Sequence, residues 1–222
     1  MSGPDPALDG AGARLDRAIA AIDAANAADP VTILVELDGR AVARPKEIVH
    51  AEAMTDWVRR LDPDADEVQL LAARAHHLRR WTSPRDEFPA GRAGYLKWRT
   101  EARRRHAEDL ASILRAVGYD EATIGAVAAI VTKEGLGRGD LPDVDGRPPA
   151  VQTHEDALCL VFLELQFADT ADRLGDEKMI DVLVRTLAKM GSRGRAAASG
   201  LPLSDREAAL VAAALERASA GD

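Results

Sequence analysis

The chain has 222 residues, 46 % of them hydrophobic, which is enough apolar material for one packed domain over residues 1–222. It contains neither a long apolar run nor a basic segment followed by an apolar one at its N-terminus, so we expect no membrane span and no secretory signal. The single cysteine, Cys159, excludes an internal disulfide framework and favours a cytoplasmic protein. The net charge of −8 argues against extensive nucleic-acid binding.

The composition favours helix throughout, because alanine is abundant and aromatic residues make up only 4 % of the chain. Residues 1–12, rich in Gly, Pro and Asp, predict a flexible tail. Residues 31–43 predict a short β-hairpin, since VTILVEL precedes a D-G turn. We therefore expect an all-α bundle of about seven to eight helices. Apolar periodicity places these helices at about 14–28, 46–61, 66–81, 92–117, 121–134, 153–171, 177–189 and 204–218.

The five histidines form the most informative pattern in the chain. His50 lies near a helix start, His76 and His77 interrupt the apolar segment LLAARAHHL, and His106 follows an arginine run. Imidazole and carboxylate ligands from several helices of a bundle bind first-row divalent ions. Adjacent helical residues point roughly 100° apart, so His76 and His77 can share an ion only if it lies close over their helix. We expect His154 to be a solvent-exposed residue of a first helical turn.

The order of these residues resembles that of the HD-domain superfamily of metal-dependent phosphohydrolases. Those all-helical proteins carry a lone His, an adjacent His-Asp pair and a distant Asp. Here AARAHHLRRW is similar to the His-Asp segment, with His77 at the Asp position, and EDALCLVFLE is similar to the helix that carries the final Asp. The resemblance covers about residues 46–170. It implies a metal site formed by His50, His76, His77, His106 and Asp156.

Two departures from the HD pattern bear on the metal. His77 replaces the acidic member of the pair, so the site is richer in nitrogen and should favour Fe, Mn, Co, Ni or Zn over Mg. Lys133 stands where two-metal members place a further His, which leaves His106 either as a partial second ligand or as a phosphate contact. The segments RPKEIVHAE, AARAHHLRRW, GRAGYLKWR and EDALCLVFLE also resemble an uncharacterised bacterial and fungal family of unknown function over nearly the full length.

A metal ion bound at this site would acidify a water molecule and polarise a phosphoryl oxygen. The sequence does not select which carboxylate orients that water; the candidates are Glu52, Glu108 and Glu155. Arginine and lysine side chains near the histidines are candidates for binding an anionic substrate. They are Arg79, Arg80, Arg92, Lys97, Arg99 and Lys133. Interleaved aromatic residues favour a nucleotide, although the same residues fit a solvated basic helix face with its aromatics in the core.

These observations predict a metal-dependent phosphohydrolase that acts on a nucleotide or another phosphate ester. One alternative is a non-catalytic HD-like module that binds a nucleotide or RNA. Another is a di-iron oxygenase of the HD type, against which Lys133 counts. The expected partner is a small phosphate-containing molecule, with nucleic acid less favoured, and alanine-rich helix faces allow a homodimer.

Overall fold

The computed structural model describes residues 6–137, 141, 143–144 and 147–220. These residues form ten α-helices and one antiparallel hairpin, which confirms the all-α fold. No helix in this part of the chain combines the length and the apolar character needed to cross a membrane. The elements are α1 (Pro6–Asn26), β1 (Thr32–Leu37), β2 (Arg40–Pro45), α2 (Lys46–Leu61), α3 (Glu67–Arg74), α4 (Gly91–Val117), α5 (Glu121–Thr132), α6 (Ala150–Leu165), α7 (Phe167–Leu174), α8 (Asp176–Leu187), α9 (Ser192–Ala198) and α10 (Asp205–Ser219).

The hairpin and α2 lie where the sequence predicts them, but several other boundaries differ. Helix α1 begins at Pro6, inside the predicted tail, while residues 1–5 of that tail lie outside the described residues. Helix α3 ends at Arg74 instead of near residue 81, and Arg79 takes a left-handed φ of 53°. The predicted helix over 153–171 is interrupted at Gln166, whose φ of −132° is not helical. Helix α9 was not predicted.

The chain divides into two compact units. The first unit consists of Met1–Asp56 and Ala65–Glu134, and the second consists of Trp57–Asp64 and Gly135–Asp222. The single domain expected over residues 1–222 stays a prediction. In the first unit α1 packs against α3 and α4, and both of these helices contact α5. Arg74 on α3 forms two hydrogen bonds of 2.6 Å with Asp23 on α1. Fully buried side chains fill the interior of this unit, among them Ile22, Met54, Leu71, Leu78, Leu110 and Leu114.

The second unit has its own apolar core. Helix α8 packs against α7 and α10, and α6 packs against α7 and α9. The buried side chains of this core include Leu163, Phe167, Met179, Leu183 and Leu210. Burial of such side chains contributes about 1.5–3 kcal/mol each, so the second unit is stabilised mainly by this cluster.

Candidate metal centre

Three potential metal ligands gather in the first unit. Glu47 and His50 lie three residues apart on α2 and therefore share one helix face. His77 lies in the turn that follows α3. One ligand atom from each of these three residues lies within 4.8 Å of the other two. Glu47 and His50 are 5 % and 3 % exposed, and the side chain of His77 is 18 % exposed, so the cluster is largely shielded from water.

Local structure fixes both sides of this cluster. The Asp29 carboxylate accepts the backbone N–H groups of Val31 and Glu47, at 2.9 and 3.1 Å, and so anchors the start of α2. After α3, the left-handed conformation of Arg79 reverses the chain, and its backbone N–H donates to Asn26 Oδ1 at 3.1 Å. His77 therefore projects from a tight turn that α1 helps to hold. The assumption that both adjacent histidines lie on one helix was wrong.

The ring of His77 has a defined hydrogen position. Arg80 Nη1 lies 3.0 Å from His77 Nε2, and a guanidinium can only donate. Nε2 is therefore the acceptor, and the neutral ring carries its hydrogen on Nδ1. Nδ1 lies 3.4 Å from Glu47 Oε2, a buried oxygen that accepts no hydrogen bond from the described residues. A buried carboxylate oxygen in this position fits the role of a cation ligand.

Burial sets the protonation of these groups. It lowers the pKa of His50 to about 4 and the pKa of His77 well below its ordinary value. It also raises the pKa of Glu47 to about 7, although Arg80 and Lys46 oppose that change. Neutral imidazole is the form that binds a metal. A divalent cation would supply the counter-charge that the buried Glu47 carboxylate needs, so the donor set fits a metal ion.

Two further predicted ligands lie beside this cluster. The ring of His76 is centred 4.3 Å from that of His77, and the ring of His106 is centred 6.1 Å away. His106 Nδ1 donates to the Leu78 carbonyl at 2.7 Å, and its Nε2 is buried with no hydrogen-bond partner among the described residues. A backbone carbonyl on one ring nitrogen is the usual arrangement for a metal-binding histidine. The roles of His76 and His106 as ligands stay predictions.

The remaining predicted ligand, Asp156, belongs to the second unit. Its Oδ1 accepts hydrogen bonds from Gln152 Nε2 at 2.9 Å and from the Gly191 backbone N–H at 2.8 Å. It is not one of the three clustered residues, and its role as a ligand also stays a prediction. The expectation that His154 is exposed was wrong, because His154 is 1 % exposed and lies among the buried residues of α6.

Comparison with known proteins identifies the family. A family model described as a domain of unknown function, DUF4202, matches residues 16–211. The chain belongs to the DUF4202 family. Neither a curated protein nor a solved structure matches it. The match spans both units and includes all three clustered residues and Asp156, and it confirms the resemblance to an uncharacterised family.

The predicted catalytic carboxylates of this DUF4202 protein have different surroundings. Arg44 holds both oxygens of Glu52, at 2.7 and 2.8 Å. Glu108 is exposed and pairs with Arg104 on α4. The side chain of Glu155, in the second unit, is 2 % exposed and lies 3.9 Å from Lys189 Nζ. None of these three is a member of the clustered set, and their catalytic roles stay predictions.

Among the predicted substrate-binding cations, Arg80 contacts the cluster directly, because its Nη1 lies 3.0 Å from His77 Nε2. Arg79, its neighbour, is 45 % exposed and lies 3.7 Å from Asp109. The other cations lie along or at the end of helices: Arg92, Lys97 and Arg99 on α4, and Lys133 after α5, where its φ is 65°. Their contacts with substrate stay predictions.

Glu47 is the member of the cluster that the sequence analysis does not include among the candidate ligands. The segment Glu47-Ile-Val-His50 contains a usable signal, because a Glu and a His three residues apart on a helix present both side chains to one ion. The same Glu-x-x-His spacing builds the carboxylate metal sites of helical bundles.

Proposed function

We propose that this DUF4202 protein is an HD-like, metal-dependent phosphohydrolase that cleaves a phosphate ester. The observation that carries the proposal is the convergence of Glu47, His50 and His77 to within 4.8 Å. Two histidines and one glutamate form the ligand set of many catalytic zinc sites, where an open position remains for water. Glu47 and the two imidazoles would hold the ion, and the low exposure of Glu47 and His50 would limit competing hydration.

When bound, a divalent ion supplies an acidified water and a positive charge that polarises a phosphoryl oxygen. The protein contributes a cation beside the site, since Arg80 lies 3.0 Å from His77. It also contributes a cavity of about 280 Å³, which includes Glu47 and Arg80 in its lining. That volume is near the lower end of small-molecule sites, roughly 300–1,000 Å³, and supports a small phosphate ester as the substrate.

The first test is elemental analysis of protein purified without an affinity tag or chelator, followed by hydrolysis of p-nitrophenyl phosphate. We expect a bound transition metal and hydrolysis that a chelator abolishes. Glu47→Gln should lower kcat/KM by more than about a hundredfold, because even the loss of a group that only supports a metal ligand costs about 10- to 100-fold. The matched control is Glu121→Gln, an exposed glutamate of α5 that pairs with Arg115, which should hydrolyse the ester at nearly the wild-type rate.

The same ligand set favours one second candidate function. Two histidines and one carboxylate with open positions also form the site of non-haem iron oxygenases. Bound iron with oxygen consumption, and no ester hydrolysis, would support oxidation instead. Stoichiometric metal with neither activity would contradict both enzymatic functions and favour a binding module.

A further inference from the structure

The cavity beside Glu47 has an excess of positive charge. Lys46, Arg80 and Arg85 line it, against the carboxylates of Asp29 and Glu47. Both oxygens of Asp29 accept backbone N–H groups, and Arg85 donates to the backbone carbonyls of Phe88 and Pro89. The charges left facing the cavity are the cations of Lys46 and Arg80 and the carboxylate of Glu47. The cavity therefore has the charge of a site for an anion, and a divalent ion on Glu47 would increase that charge further.

A buried hydroxyl in the same lining points to the same ligand. Ser83 is 2 % exposed and lines the cavity, and its Oγ has no hydrogen-bond partner among the described residues. The backbone carbonyl of Ser83 accepts a hydrogen bond from Trp98 Nε1–H at 2.8 Å, so only the hydroxyl of this residue is available to a ligand. An anion with several acceptor oxygens would satisfy the hydroxyl and the cations together.

Arg80 connects this cavity with the metal ligands. Its guanidinium carbon lies 4.8 Å from the centre of the Trp98 ring, and its Nη1 donates to His77 Nε2. A metal ion on Nε2 would use the lone pair that accepts this hydrogen bond. A metal ion on Nδ1 would leave the ring hydrogen on Nε2, which then cannot accept. Whichever nitrogen of His77 binds the metal, Arg80 loses its acceptor.

We propose that metal binding to His77 releases Arg80, which then binds a phosphomonoester dianion in the cavity together with Lys46 and Ser83. This inference rests on the proposed function for its metal site and adds the class of substrate and the residues that select it. A dianionic monoester balances the cations better than a monoanionic diester. In the metal-free protein, Arg80 therefore competes with the metal ion for His77, and in the metal-loaded protein it binds the substrate. We call this change of partner the exchange.

The exchange predicts opposite effects of one substitution on two ligands. Arg80→Met should raise the affinity for Co²⁺ by about tenfold, because a hydrogen bond to a charged group that competes with the metal is removed. The same substitution should lower the affinity of the Co²⁺-loaded protein for phenylphosphonate by about tenfold, but leave that of the metal-free protein nearly unchanged. Lys46→Met should lower phenylphosphonate affinity in both forms. A residue with a merely structural role would lower both affinities.

The experiment is calorimetric titration of the full chain with Co²⁺ and then with phenylphosphonate, a dianion that cannot be hydrolysed. Methyl phenylphosphonate, a monoanion of similar shape, should bind at least about tenfold more weakly. Ser83→Ala should weaken phenylphosphonate binding in both forms of the protein. The matched control is Lys178→Met, an exposed residue of α8 outside the cavity lining, which should change neither affinity. Because Arg80→Met can disturb the turn after α3, ¹⁵N NMR of the metal-free wild type provides a second measurement. It should show the hydrogen of His77 on Nδ1.

The outcomes separate this inference from the function on which it rests. A lower or unchanged Co²⁺ affinity in folded Arg80→Met, or an Nε2–H tautomer of His77, would overturn the exchange. Unchanged phenylphosphonate binding in Lys46→Met and Ser83→Ala would overturn the anion site. If the wild type bound no Co²⁺, both proposals would fail. If Co²⁺ and phenylphosphonate bound as expected but no ester were hydrolysed, only the proposed hydrolase function would fail.

Discussion

We expect His77→Ala and Glu47→Gln to retain less than about a tenth of the metal that the wild type retains after loading and gel filtration. Each substitution removes one of three clustered ligands, and the loss of groups that merely support a ligand already costs about 10- to 100-fold in affinity. The two side chains are in contact, because Glu47 Oε2 lies 3.4 Å from His77 Nδ1. Elemental analysis of the loaded proteins measures the effect.

Two matched substitutions serve as controls for this experiment. Glu52→Gln changes a glutamate of the same helix whose carboxylate is held by Arg44, and His154→Ala changes a histidine of the second unit. Both should retain metal. Full metal content in Glu47→Gln would contradict the site. Parallel analysis of His76→Ala and Asp156→Ala tests the wider ligand set that the HD resemblance implies, which predicts a severe loss of metal in each.

Gly94→Ala should lower the free energy of unfolding of the first unit by about 2–3 kcal/mol, the cost of forcing extra volume into a packed site. A Cβ atom at Gly94 would lie 1.8 Å from the carbonyl oxygen of Pro89. That atom belongs to the backbone and cannot rotate away, so the first turns of α4 would have to move. Urea denaturation followed by circular dichroism measures the change.

Gly125→Ala is the control for this prediction. Gly125 lies inside α5, and a Cβ atom there would meet no heavy atom within 4 Å. Since alanine loses less backbone entropy in a helix, this substitution should stabilise the protein by about 0.5–1 kcal/mol. Similar urea midpoints for Gly94→Ala and Gly125→Ala would contradict the steric explanation.

The sequence by itself determined the elements that depend on local signals. Pro45 and the apolar spacing that follows it predict α2 over 46–61, where the structure has it. The D-G pair at Asp38 and Gly39 predicts the turn of the hairpin, because both residues tolerate the positive φ that they adopt there. Abundant alanine and scarce aromatic residues determined the all-α class. His50 and His77 could be identified from the sequence as candidate metal ligands, because histidines are unusual within apolar segments.

Only the tertiary structure decided which side chains form the cluster and in what state. Helical periodicity continues past Arg74, yet α3 ends there, because the turn with Arg79 is held by Asn26, 53 residues earlier in the chain. In the sequence, Glu47 has the position of an acidic residue in the first turn of a helix. Only the structure shows that it lies 3.4 Å from His77. Its raised pKa and the lowered pKa of His50 arise from burial. Burial depends on packing between segments that lie far apart in the chain, and local sequence patterns do not predict that packing.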